Sequence, residues 1–173
     1  SARLSGIQVI DPIWKDSAMS LSPTAQRQPF PLDDFTDVLA ANDAYALNYT
    51  QPGLSGTAAR GLAVITCMDS RIDPLNVLGM KPGDVKILRN AGARVTDDMQ
   101  RTLILATHLL GVNRVLVMPH TDCRMARGLE HEIHEAIRLA SGVDTRSVEF
   151  RTVTDQVSAV ATDVVRIRSN PLL

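Results

Sequence analysis

Two cysteines, a histidine and an aspartate–arginine pair carry most of the reactive chemistry in this sequence. Cys67 opens the run Cys67-Met68-Asp69-Ser70-Arg71, and the run His120-Thr121-Asp122-Cys123 follows later in the chain. Two thiolates and one imidazole form a borderline-soft donor set suited to zinc. Three protein ligands leave a fourth tetrahedral position open, which is the pattern of catalytic rather than structural zinc sites. A water in that position has its pKa lowered from about 16 toward ~7, an effect that two charged thiolates blunt. Asp69 and Arg71 stand close enough to Cys67 to share its rim. A guanidinium fork on the carboxylate keeps Asp69 off the metal and free to accept a hydrogen bond from a metal-bound hydroxide. Released from Arg71, Asp69 can become a fourth ligand that excludes water and shuts the site without unfolding anything.

Plainer readings compete at each position. Paired cysteines are by default small buried hydrophobes, but both thiols here follow apolar runs, and His120 stands three residues before Cys123. Asp69 and Arg71 alone would pass for a structural ion pair. A nucleophilic-cysteine phosphatase needs an arginine six residues beyond its cysteine, and that position is Asp73. Glu130, His131, Glu132, His134 and Glu135 suggest a metal cluster, yet the order His131-Glu132-Ile133-His134 departs from the His-Glu-x-x-His of metalloprotease helices. They fall on the polar side of a Leu129, Ile133, Ile137 stripe and read as a solvated surface. His108, inside an apolar helix, reads as a satisfied core residue.

Hydropathy gives the elements that must position these side chains. Residues 61–66 form a continuous apolar run ending at Cys67, as for a strand covered on both faces. Further strands are expected over residues 85–88 and 114–118, the last running into Pro119-His120. Between them Thr96-Asp97-Asp98 starts a mostly buried helix from Met99 to Leu110, closed by Gly111. Strand–helix–strand alternation favours a parallel sheet with helices on both faces, and ligands bind such sheets beyond the carboxyl ends of the strands. If the first and third strands are neighbours, Cys67, His120 and Cys123 meet at one rim. Three more helical stripes follow: Phe35 to Leu47, Leu129 to Ala140, and Val157 to Val165. Residues 1–31, broken by Pro12, Pro23, Pro29 and Pro31, read as an N-terminal arm that either lies on an apolar surface or remains a floppy tail.

Composition removes several function classes. The 173 residues are 45% hydrophobic and 21% charged with a formal net charge of -1, which argues against disorder and against a nucleic-acid-coating surface. Aromatics are 3%, too few to stack single-stranded bases, and the apolar runs are too short to cross a bilayer. Neither a nucleic-acid nor a membrane partner is expected. Two cysteines and no apolar leader near Ser1 point to a reducing, cytoplasmic compartment.

In that order, Cys67-x-Asp69-x-Arg71, Arg89-Asn90-Ala91-Gly92 and His120-x-x-Cys123 resemble the β-class carbonic anhydrases, most closely the short bacterial members. The resemblance implies an α/β fold: a mixed β-sheet with a parallel core flanked by helices, dimeric, in which residues 32–173 form a single zinc-binding catalytic domain. It places the family's zinc ligands on Cys67, His120 and Cys123, with one Zn2+ per chain. Asp69 would be the added ligand of a closed state, and Asp69 with Arg71 the catalytic dyad. The implied reaction is reversible hydration of carbon dioxide to bicarbonate by metal-bound hydroxide, in a homodimer or higher homo-oligomer. Hydrolysis of carbon disulfide or carbonyl sulfide at the same site is one alternative, and a catalytically silent zinc-binding relative is another.

Three features depart from the family's pattern. Arg124 stands where most members have glycine; it narrows the substrate slot, binds an anion such as bicarbonate, or points into solvent. The further strand that normally follows the final helix has no counterpart before Leu173. Residues 1–31 match no recognised segment, and arm exchange with a partner subunit is the expectation for them. No histidine stands out as a proton shuttle, so release to buffer or surface water is expected.

Overall fold

The structure, a computed structural model, describes residues 32–173; the arm expected over residues 1–31 lies outside them. Helix α1 (Leu32–Leu47) belongs to one unit, which ends at Gly53, and Leu54–Leu173 form a second, compact one. Every residue singled out above for chemistry lies in the second unit.

That unit is organised by β1 (Leu62–Cys67), whose six residues are all buried, as its unbroken apolar run requires. β2 (Val85–Asn90) pairs with it in parallel from Leu62–Val85 to Cys67–Asn90, and β3 (Arg114–Met118) pairs in parallel on the other side from Leu62–Arg114 to Thr66–Met118. The order is therefore β2-β1-β3. The chain leaves β1 toward one edge, then crosses back through α3 (Asp97–Leu109) to the other. This reversal between β1 and β3 is a topological switch point, which opens a crevice beyond the carboxyl ends of those two strands. Cys67 ends one of them, and His120 follows the other by two residues. The expected parallel core is thus present, and no antiparallel strand occurs among the described residues.

One side of the sheet carries an aliphatic core. Ala63, Ile65 and Leu88 pack with Val95, Met99, Leu103, Ala106 and Val112, flanked by Val115, Val117 and Ile167. α3 supplies Met99, Leu103 and Ala106 from one face, spaced four and three residues apart. Thr96 caps its first turn by accepting from Met99 N, and Gly111 at φ 74° turns the chain back toward β3. The helix is less buried than its composition predicts, since Leu105 and Leu109 are exposed. His108 shares that open face and lies outside the core, with its Nε2 2.8 Å from Leu172 O. The core reading of His108 fails because the buried stripe of α3 is only one residue wide per turn.

A short helix that hydropathy did not signal, α2 (Pro74–Leu78), follows the first reactive run. Asp73 caps it by accepting from Asn76 N at 3.2 Å, and Pro74 opens it. α4 (Glu130–Ser141) and α5 (Gln156–Arg168) complete the fold. Arg94, just after β2, forks onto Asp163 of α5 at 2.7 and 3.3 Å, with the aspartate buried and the arginine half-buried. No helix among the described residues is long and apolar enough to cross a membrane.

Candidate metal centre

Cys67 Sγ and Cys123 Sγ lie 3.8 Å apart. A tetrahedral metal with ~2.3 Å bonds to two sulfurs separates them by about 3.8 Å, so the thiols already stand at ligand spacing. His120 completes the set: one ligand atom from each of the three residues lies within 4.8 Å of the others. His120 Nε2 is buried and has no hydrogen-bond partner. A buried polar atom left unsatisfied is costly, and a cation held between two thiolates removes that cost. The donor set and the orphaned nitrogen together fit a soft or borderline divalent metal.

Each candidate ligand is placed by a different piece of the fold. Cys67 leaves the buried strand β1, and its sulfur accepts from Gly92 N at 3.4 Å. Gly92 sits at φ 79°, and a Cβ there would lie 3.1 Å from Met125 Cβ, so both conformation and space demand glycine in the Asn90-Ala91-Gly92 turn. Arg89 braces the next stretch, donating from Nε to Cys67 O at 2.8 Å and from Nη2 to Asp69 O at 2.6 Å. His120 is held through its carbonyl, which accepts from Gln156 Nε2 of α5 at 2.9 Å. Cys123, 1% exposed, is buried in a cluster with Cys67 and Met125, against which Ile133 and Phe150 pack.

The electrostatics of the two thiols differ. Burial pushes the Cys67 thiol up, but the Gly92 and Asp69 backbone N–H groups, with His120 and Cys123, outweigh it and bring Cys67 below the ordinary thiol value. Burial raises Cys123, and proximity to Cys67 raises it further. Two thiolates this close repel, which a divalent cation relieves.

Asp69 and Arg71 form the expected pair. Arg71 Nε and Nη2 donate to the two carboxylate oxygens at 2.9 and 2.7 Å, and Arg71 N donates to Oδ1 at 2.9 Å. These bonds hold the Asp69 carboxyl well below the usual carboxylate range. Its Oδ2 lies 3.8 Å from His120 Nε2, so Asp69 borders the Cys-His-Cys group without being one of its three members. Arg71 also donates from Nη1 to Asp122 Oδ2 at 3.1 Å. Asp122, Arg127 and Gln156 also support the site and were not singled out from sequence, whereas Arg89 opens the Arg89-Asn90-Ala91-Gly92 motif. Of the three, only Asp122, lying between His120 and Cys123, carried a signal that could have found it.

Arg124 is exposed, with its Nη1 donating to Arg127 O at 2.8 Å. The polar cluster on α4 needs a correction. His131 is exposed, as expected, but His134 and Glu130 are half-buried. His134 Nδ1 meets Thr145 Oγ1 at 2.9 Å, its ring lies 5.1 Å from that of Phe150, and Glu130 accepts from Phe150 N at 2.7 Å. These two residues hold the loop whose Phe150 packs against the Cys67, Cys123 and Met125 cluster, so part of the polar side is used for packing.

Against known proteins, the family described as carbonic anhydrase matches residues 62–166. The chain is 36% identical over 138 residues to beta-carbonic anhydrase 1 of Mycobacterium tuberculosis, covering 79% of this chain and 83% of that protein. A carbon disulfide hydrolase of Acidianus is 45% identical over 91 residues, which cover 53% of this chain and 44% of that protein. Among solved structures, a carbonic anhydrase from Streptococcus mutans superposes with a TM-score of 0.75 at 33% identity, over 84% of this chain and 86% of the other.

Proposed function

The chain belongs to the β-carbonic anhydrase family, and from that premise we propose that it catalyses the reversible hydration of carbon dioxide to bicarbonate with zinc held by Cys67, His120 and Cys123. The observation that carries this reading is the buried, partnerless His120 Nε2 facing two thiols, with a forked Asp69 carboxylate 3.8 Å away. Zinc suits two sulfurs and one imidazole, and in an open site it supplies a Lewis-acidic position that brings the pKa of water toward neutrality.

The chain's own groups do the rest. Asp69, ionised through its bonds to Arg71, can only accept hydrogen bonds. It would accept a hydrogen bond from the attacking oxygen, with no proton transferred, and so turn a lone pair toward the substrate carbon. Arg71 keeps that carboxylate off the metal. Should the fork open, Asp69 is the nearest carboxylate to His120 and becomes the fourth ligand of a closed state. The sequence has four histidines; beside His120, His108 is bonded to Leu172 O, His131 is exposed and His134 is engaged with Thr145. None faces the site, so the product proton leaves through solvent or buffer. A homodimer or larger homo-oligomer, residues 32–173 as one catalytic domain and a cytoplasmic location complete the proposal.

A second reading is hydrolysis of carbon disulfide or carbonyl sulfide, favoured by the similarity to the Acidianus hydrolase over about half of this chain. The match to the mycobacterial anhydrase extends further, over 79% of the chain, and supports carbon dioxide as the first reading. Side-by-side assays separate the two: hydration of carbon dioxide by stopped-flow, and sulfide release from carbon disulfide, on zinc-loaded protein. Hydration at least a hundredfold faster than sulfide release is expected; the reverse order overturns the assignment.

A further inference from the structure

The Arg71 side chain is 59% exposed, and an exposed arginine held by one carboxylate alone keeps much of its rotamer freedom. Its fork is instead divided between two loops. Nε and Nη2 reach Asp69, while Nη1 reaches Asp122 Oδ2 at 3.1 Å and Nη2 also reaches Asp122 O at 3.2 Å. Nη2 is therefore shared. It binds Asp69 Oδ2, the oxygen nearest His120, and the Asp122 carbonyl at the same time. Asp122 stands between His120 and Cys123 at φ 59°, a left-handed conformation that costs a non-glycine residue energy. Its other carboxylate oxygen, Oδ1, pairs with Arg127. The β3 loop thus spends a strained backbone position to set one carboxylate between two guanidinium groups.

We propose that Asp122 is a positioning residue: it fixes the plane of the Arg71 guanidinium and, through it, the orientation of Asp69. The rim after β1 and the rim after β3 then act as one unit. Without the Asp122 carboxylate the Arg71 fork still binds Asp69 and the Asp122 carbonyl but loses its Nη1 anchor, so the pair can pivot together and Oδ2 no longer holds its place beside His120. This rests on Asp69 being the hydrogen-bond acceptor proposed above.

The test uses Asp122→Asn on zinc-loaded full-length chain, because asparagine tolerates the left-handed region; Asp122→Gly, free of strain at φ 59°, serves if the first variant misfolds. The expected result is full metal content, a fall in kcat of about three- to tenfold with KM unchanged, and faster solvent exchange of the Arg71 Nε–H in nitrogen-15 spectra, assigned by its loss in Arg71→Lys. In an Arg71→Lys background, whose ammonium cannot fork between two carboxylates, Asp122→Asn should change kcat less than about twofold. Wild-type exchange of the Arg71 Nε–H in both Asp122 variants, or an equal kcat loss in both backgrounds, overturns the proposal. If wild-type protein carries zinc but hydrates no carbon dioxide, the functional reading fails while the exchange measurement still decides the role of Asp122.

Discussion

His120 Nε2 and Asp69 Oδ2 stand 3.8 Å apart across the rim of the crevice, too far for a hydrogen bond, and the nitrogen has no other partner. Asp69 is drawn away by Arg71, and the imidazole is left aimed at the two sulfurs. That separation keeps a hydrogen-bond-accepting carboxylate beside the candidate metal position without letting it join.

The first prediction concerns the ligands. Cys67→Ser, His120→Ala and Cys123→Ser should each bind less than about a tenth of the wild-type zinc, measured by elemental analysis, since three-ligand sites lose affinity steeply when one donor goes. Chelation of the wild-type protein should make both thiols titratable by a disulfide reagent, and zinc should protect both. Full metal occupancy in Cys123→Ser would remove that residue from the site.

Asp69 and Arg71 should separate catalysis from metal binding. Asp69→Asn replaces an acceptor with a group that also donates, and kcat should drop about a hundredfold or more with zinc retained. Arg71→Lys should fall less, since it keeps the charge and loses only the fork. Steady-state hydration kinetics on metal-quantified samples check both values.

The Asp69 carboxyl is held low in the fold by the side-chain and backbone bonds of Arg71, which fixes the sign of a pH effect. A group whose folded pKa lies below its unfolded value of about 4 stabilises the fold above that unfolded value and loses the contribution as pH falls through the folded one. Wild-type protein should therefore melt higher than Arg71→Gln by a constant margin from neutral pH down to about pH 5, and the margin should shrink on further acidification. Melting temperatures across that range decide it; a margin that grows toward acid would contradict the pairing.

Stability should depend strongly on the link between the turn after β2 and α5. Arg94 and Asp163 are 18% and 4% exposed, so Asp163→Ala strands a buried guanidinium and should cost about 3–5 kcal/mol in urea unfolding. Removing both partners should cost less than that single change.

Arg124 should prove a bystander. Its side chain is exposed and, among the described residues, bonds only to the Arg127 carbonyl in its own turn, so Arg124→Gly should hydrate carbon dioxide within about twofold of wild type. A large gain in rate would mean that the side chain narrows the substrate slot.

Much of this was legible before any coordinates. The unbroken apolar run before Cys67 could only be a central strand, and the crossover topology then brings His120 and Cys123 to the same rim. Motif residues with unusual chemistry, Asp69 and Arg71, announced themselves by type. Asp122, Arg127 and Gln156 did not, because they work through a backbone carbonyl and through partners up to 51 residues away, and no periodicity records such contacts. α2 was readable from Asp73-Pro74, a cap followed by a first-turn proline, but five residues leave no hydropathy stripe. His108 and His134 were misjudged for one reason: a helical stripe tells which face is apolar, and not how much of the remaining surface another segment covers.

Stopped-flow carbon dioxide hydration from neutral to alkaline pH, on protein of known zinc content and with Cys67→Ser as the blank, tests the central claim most directly. The predicted result is activity that rises with pH and is absent from the blank. No hydration by protein carrying a full complement of zinc would contradict it.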